Sequence, residues 1–305
     1  MTIETTPAEK EFLDELVHHR LLIPSGVPGV FGRSGVFEDV LDRFDRLVSA
    51  EGRKDGAEVL RFPPVMNLRD FERSDFMKSF PQMTGTVFSF SGTHAQHMSL
   101  VEHIHGGKDW ASFESMTDVV LVPAACYPLY PMCTGTLPPE GRLFDVMSYC
   151  FRHEPSGDPA RMQAFRQHEL VRIGDAETVD AWRESWITRG KAMLRSVGLP
   201  VESDVAADIF FGRGGKLLAA SQKDQRLKFE MLMPICSTEN PTAVMSVNYH
   251  QDHFGVIFEL RTSAGAIAHT ACLGFGMERV TLGLFKTHGP RPESWPAAVR
   301  AVLWP

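Results

Sequence analysis

Between Cys150 and Ile173 the chain reads CFRHEPSGDPARMQAFRQHELVRI. Two strand-like runs carry Arg152, Glu154, Arg161, Arg166 and Glu169, with Phe165 among them, and a Pro/Gly/Ser/Asp turn joins the runs. A plain hairpin needs only alternating apolar and polar residues around a short turn. Fixed arginines suit an anionic ligand, because guanidinium is always charged and grips phosphate at two points. The alternative is a solvated hairpin with cross-strand ion pairs. The hairpin alone does not choose between them.

The elements around it must do the positioning. AEKEFLDELVHHRLL reads as an amphipathic opening helix. SGVFEDVLDRFDRLVSA places Val36, Phe37, Val40, Leu41, Phe44, Leu47 and Val48 on one helical face, with Ser34 as N-cap. A short strand, AEVLRF, follows and stops at Pro63-Pro64. VVLVPAACYPLY looks like a buried strand entering an irregular segment, and AETVDAWRESWITRGKAMLRSVG is a helix of about six turns. Four strand-like runs come next: DIFFGRGGKLLAA, RLKFEMLMPI, TAVMSVNYH and FGVIFELRT. CLGFGMERVTLGLF is a glycine-punctuated turn leading into a helix. Without repeats or long linkers, this predicts one α+β domain over residues 1–305, built around an antiparallel sheet.

Bulk properties narrow the chemistry. The chain has 305 residues, is 43% hydrophobic and carries a formal charge of -7, which argues against non-specific nucleic-acid binding. No apolar run is long enough to cross a bilayer, and the N-terminus has no basic region followed by an apolar stretch. Five scattered cysteines fit a reducing cytoplasm and leave thiolates free for a metal. GRGGKLL at Gly212 lacks the upstream glycine and the Ser/Thr of a P-loop and reads as a glycine-rich hairpin. GFGMER lacks the third glycine of a dinucleotide fingerprint. His94, His97, His103 and His105 read as incidental residues of a helical surface rather than a metal site.

The spacing Arg152-x-Glu154, then a loop, then Arg161-x-x-x-Phe165-x-x-x-Glu169 resembles motif 2 of the class II aminoacyl-tRNA synthetases. The segment from Ser34 to Pro64 resembles their motif 1, and GFGMERV resembles motif 3. Three weak motifs in the right order make a strong one. The resemblance implies the class II fold, an antiparallel sheet flanked by helices. It also implies an ATP site in which Arg152 neutralises the α-phosphate, Phe165 stacks on adenine and Glu154 accepts from the adenine amino group. Arg279 would hold the γ-phosphate, with Arg161, Met162, Lys228 and the run Ala243, Val244, Met245 and Ser246 completing the site around ATP and Mg2+. Only Ser246 and Asn248 keep polar character where the family binds the metal-bound triphosphate.

Within class II the chain is similar to seryl-tRNA synthetases from about Gly35 onward, and its departures carry information. Where those enzymes use Thr and Glu to hold serine, this chain has Ala124 and Cys126. On a class II fold Cys126, Glu169 and Cys272 converge on the amino-acid pocket. They match the Cys/Glu/Cys zinc site of the zinc-dependent seryl enzymes, three ligands with one place open. No tRNA-binding arm or anticodon domain is visible. That truncated pattern resembles the amino acid:[carrier protein] ligases, which activate a small amino acid and load it on the phosphopantetheine thiol of a carrier protein. The resemblance implies glycine or alanine as substrate, held at Ala124, Cys126 and Glu169. It further implies a homodimer through the Ser34–Pro64 region and no tRNA partner. The helix at about 176–198 would be an insertion that docks the carrier through Arg183, Arg189, Lys191 and Arg195, with Trp182 and Trp186 on one face. Aminoacylation of tRNA or another acceptor, and a non-catalytic regulatory subunit, remain as alternatives.

Overall fold

A computed structural model describes residues 5–212 and 214–305. Helix α1 (Pro7–His18) opens on a capping box, in which Thr6 and Glu9 exchange side-chain and backbone bonds. Helix α2 (Gly35–Lys54) starts at Ser34, whose hydroxyl accepts from the Phe37 amide. Next come strand β1 (Glu58–Arg61), helix α3 (His94–His105), and the long hairpin of β2 (Arg142–Phe151) and β3 (Ala164–Gly174). Helix α4 (Ala176–Ser196), strand β4 (Glu202–Val205), helix α5 (Gly215–Asp224) and strands β5 (Lys228–Met233) and β6 (Thr242–Gln251) follow. A short helix α6 (His253–Ile257), strand β7 (His269–Gly276), and helices α7 (Met277–His288) and α8 (Ala297–Leu303) complete these elements.

The main sheet has seven strands in the order β4-β5-β6-β7-β3-β2-β1. Every neighbouring pair is antiparallel except β1 on β2. Its two faces differ in kind. Met231, Val247, Leu273, Phe275 and Leu170 belong to an apolar cluster shared with helices α2, α4 and α7. Alternate residues of the same strands, among them Glu169 and Cys272, face the other way. A smaller three-stranded sheet, Val65–Asn67, Glu114–Leu121 and Thr86–Phe90, lies beside it. Among the described residues no helix is long and apolar enough to cross a membrane.

Several sequence expectations need correction. The run from Asp208 to Ala220 is not a strand; it is an irregular stretch followed by α5, with residue 213 of the expected glycine-rich hairpin outside the described residues. FGVIFELRT forms α6 and the two-residue strand Leu260–Arg261, because Phe254 and Phe258 stack on Tyr130 from successive helical turns. Motif 3 has no turn: β7 continues to Gly276 and α7 begins at Met277. The hairpin register ends at Phe151 opposite Ala164, so Arg152, Glu154 and Arg161 stand in the connection instead of on the strands. The apolar face of α2 is also not left over for a partner. Phe37, Val40, Leu41 and Phe44 are fully buried within the chain, where α2 packs on α7 and α8. The histidines of α3 do lie on a helix, as the sequence suggested.

Candidate active site

The register of three neighbouring strands brings the site together. Glu169 on β3 lies directly opposite Gly274 on β7, and Asn248 on β6 lies opposite Cys272. Side chains on one face repeat every second residue, so Cys272 sits diagonally beside Glu169. Gly274 makes the room: a Cβ there would stand 3.2 Å from Glu169 Cγ. Cys126 arrives from the irregular segment after Leu121, the stretch in which Ala124 is half-buried. One ligand atom each from Cys126, Glu169 and Cys272 lies within 4.8 Å of the others, and all three residues are buried.

The cluster is electrostatically uneasy. Burial pushes the Cys126 thiol well up, and Cys272 and Glu169 beside it add to the rise. Cys272 goes the other way, chiefly because the Cys126 thiol donates to it. Burial, then the negative charge of Cys272, lifts Glu169 to about 8. Glu169 Oε2 is buried with no hydrogen-bond partner. An unpartnered carboxylate oxygen beside two thiols is the donor set a soft-to-borderline divalent cation satisfies. The residues therefore fit the zinc that the sequence implied.

Cationic groups stand nearby, and the Arg152 charge acts on Glu169. Arg152 Nε donates to the Pro123 carbonyl at 3.0 Å, and its guanidinium lies 5.5 Å over the Phe165 ring. Arg161 pairs with Glu154 at 3.0 Å. Arg279 donates to the Ala160 carbonyl at 2.7 Å and to the Ala243 carbonyl at 3.0 Å, which fixes α7 to the hairpin loop. Burial, then the Arg161 and Arg152 charges, depresses the Arg279 pKa. Three guanidinium groups close enough to repel one another form a place for polyanion charge. Lys228 reaches Asp208 at 2.6 Å and Glu230 at 3.0 Å; burial opposes its charge, and the carboxylates more than restore it.

Other expected residues stand differently. Val244, Met245 and Met162 are buried in the helix-side cluster, and a side chain on Gly190 of α4 would collide with Met245. Ser246 Oγ accepts from Asn248 Nδ2 at 3.3 Å on the site face. The α4 cations are engaged at home: Arg183 with Asp180 at 2.8 Å, Arg189 with Asp55 at 2.6 Å, and Lys191 and Arg195 with Glu202 at 2.7 and 2.6 Å. Trp186 of α4 is fully buried, and the helix packs on β3, β6 and β7. Sequence reasoning missed His250, which lies against Cys272, and Thr270, which bonds to His250. The two-residue step from Asn248 to His250 along a strand was the available signal.

Comparison with known proteins decides the family. Over 302 residues the chain is 45% identical to amino acid--[acyl-carrier-protein] ligase 2 of Bradyrhizobium diazoefficiens, covering 98% of this chain and 90% of the relative. It is 43% identical to ligase 1 of the same organism over the same share of the chain. The chain belongs to the amino acid--[acyl-carrier-protein] ligase family. It is thus an enzyme with a class II synthetase-like fold. The type-2 serine--tRNA ligase of Methanopyrus kandleri is 29% identical over 59% of the chain, which spans 37% of that protein. The fold matches M. kandleri SerRS, solved with A. aeolicus tRNASec, at a TM-score of 0.81 and 20% identity, with 96% of this chain covering 60% of that one. Seryl-tRNA synthetase from Pyrococcus horikoshii, complexed with ATP, matches at 0.70 and 14%. No protein-family model matches the chain.

Proposed function

We propose that this ligase activates a small α-amino acid, glycine or alanine, with ATP and passes it to the phosphopantetheine thiol of a carrier protein. The observation that carries the reading is the buried Cys126/Glu169/Cys272 cluster, with Arg152 near Glu169 and both Arg152 and Arg161 near Arg279. Cys126, Glu169 and Cys272 would hold Zn2+, which when bound supplies a Lewis acid for a neutral amine. Ala124 offers no hydroxyl partner to a substrate side chain, which favours a substrate that brings none.

The rest of the chemistry belongs to the chain's own residues. The substrate carboxylate is ionised at neutral pH and needs no base. It attacks the α-phosphorus of ATP, the bond to the bridging β-phosphate oxygen breaks, and pyrophosphate leaves. Arg152 balances charge on the transferring phosphoryl oxygens, Arg279 the departing pyrophosphate, and Phe165 presents a ring to adenine. In the second step the carrier thiol sulfur attacks the adenylate carbonyl, AMP leaves, and the thiol proton passes to solvent. Of the α4 cations proposed to meet the carrier, Arg195 has the most free surface, with 53% of its side chain exposed. A homodimer would form along the outer edge of β1, where Val59 is exposed.

Amino-acid-dependent ATP–pyrophosphate exchange tests the first step, with glycine, alanine and serine compared. Zinc analysis of purified protein tests the cluster. Transfer assays with holo-carrier protein and with tRNA test the second step; transfer to tRNA alone would overturn the carrier assignment. Near-zero zinc with Cys126→Ser still active would overturn the metal assignment.

A further inference from the structure

We infer that His250, held by Thr270, is a positioning residue for Cys272: it donates a hydrogen bond to the sulfur and fixes that ligand for the metal. The inference rests on the reading of Cys126, Glu169 and Cys272 as a zinc site. His250 Nε2 lies 3.6 Å from Cys272 Sγ, and His250 Nδ1 lies 3.0 Å from Thr270 Oγ1. Thr270 is fully buried one strand over. With its hydroxyl donating to Nδ1, the imidazole proton sits on Nε2 and points at the sulfur, so the relay also chooses the tautomer.

The backbone is bent to allow this. The β6–β7 register passes from Tyr249 opposite Ala271 to Gln251 opposite Thr270, which leaves His250 as the extra residue of a bulge. Gln251 takes φ 53, a left-handed conformation that glutamine rarely adopts. Bulges beside active sites re-aim a side chain, and a strained residue persists only where its surroundings hold it. Here the bulge falls at His250, whose ring stays on the face of Asn248 and Cys272. Asn248 Nδ2 lies 3.6 Å from the same sulfur. Cys272 thus receives two N–H donors from β6, whereas Cys126 stands on an irregular segment. Outer donors of this kind orient metal ligands, and losing one typically weakens metal binding by about 10–100-fold.

A packing role is the competing account, since the His250 ring stands edge-on to Phe254 at 5.0 Å. His250→Phe keeps an aromatic ring and removes the donor; His250→Gln restores an N–H. Zinc affinity of the full chain is measured by chelator competition, together with the sulfur-to-metal absorption band of the Co2+-substituted protein. His250→Phe should bind zinc about 10–100-fold more weakly and shift the band, with the melting temperature of the metal-free protein unchanged. His250→Gln should recover most of the affinity. Equal zinc affinity in His250→Phe and wild type overturns the inference. So does a loss that Gln fails to recover, accompanied by a lower metal-free melting temperature in both variants. Wild-type protein that binds no zinc is a different result, because it removes the zinc reading itself.

Discussion

The two faces of the main sheet are made by the same strands to opposite ends. Toward α2, α4 and α7, β5 to β7 present Met231, Val247, Leu273 and Phe275, fully buried apolar side chains whose packing drives folding. Turned the other way are Glu230, Ser246, Asn248 and Cys272, with Glu169 on β3. Charged side chains also enter the helix side, but there they stand in ion pairs. Arg166 meets Glu38 at 2.6 Å and Glu278 at 2.9 Å, and His168 Nδ1 meets Asp45 at 2.6 Å. On the site face Glu169 keeps an oxygen with no partner. The difference separates ionised groups that complete the fold from a carboxylate that waits for a ligand.

If that distinction is right, substitutions on the two faces have opposite signatures. The largest stability effect belongs to Arg166→Ala, which takes the 2.9 Å guanidinium partner from buried Glu278 and leaves it Arg33 at 3.2 Å and the residue 166 amide. It should cost about 1–3 kcal/mol in urea unfolding, with exchange kinetics intact in whatever protein remains folded. Arg152→Ala should do the reverse. Amino-acid-dependent exchange should fall about 100–1,000-fold, while the melting temperature stays near wild type. Equal loss of stability in the two variants would erase the comparison.

pH offers a gentler probe of the helix side. Burial opposes charge on His168, yet Asp145 and Asp45 raise its pKa. Its contribution to stability is therefore complete below the unfolded value of about 6.5 and lost as pH rises through the folded one. Asp145 is held low, against burial, by His168, Ser49 and Arg61. Its contribution is complete above about pH 3.9 and lost as pH falls. Unfolding free energy should thus decline on both sides of a maximum, and His168→Gln should flatten the alkaline decline. The smallest effect is expected from Arg195→Glu at the far end of α4. Transfer to the carrier should drop by about threefold at low salt and little at high salt, with exchange unchanged. No salt-dependent change would place the carrier on another surface.

Much of this was legible in the sequence because side-chain type and strand period agree. Phe165, Gln167 and Glu169 share one face by simple alternation, and Ser34 with the apolar positions of α2 fixes a helix and its start. The alternation could not say what covers α2; a wide apolar stripe looks the same whether α7 and α8 or a second chain lies over it. Phe254 and Phe258 were misread because an aromatic and β-branched run suits either a strand or a helix, and stacking on Tyr130 settled it. The cations of α4 looked available because their partners, Asp55 and Glu202, lie on other elements. The bulge at His250 left no local mark, being a property of two strands in register.

The uninterrupted passage from β7 into α7 has a consequence for how the protein can change. Cys272 and Arg279, the metal ligand and the pyrophosphate clamp of the proposed site, stand on one continuous piece of secondary structure. With a side-chain period of two, one residue inserted among positions 273–276 would send Cys272 to the apolar face or break its pairing with β3 and β6. The connection at 152–163 can absorb such a change by rearranging a loop. Variants of this chain that still work should therefore differ in residue count around the hairpin and in residue type along β7, where the pleat itself keeps the count.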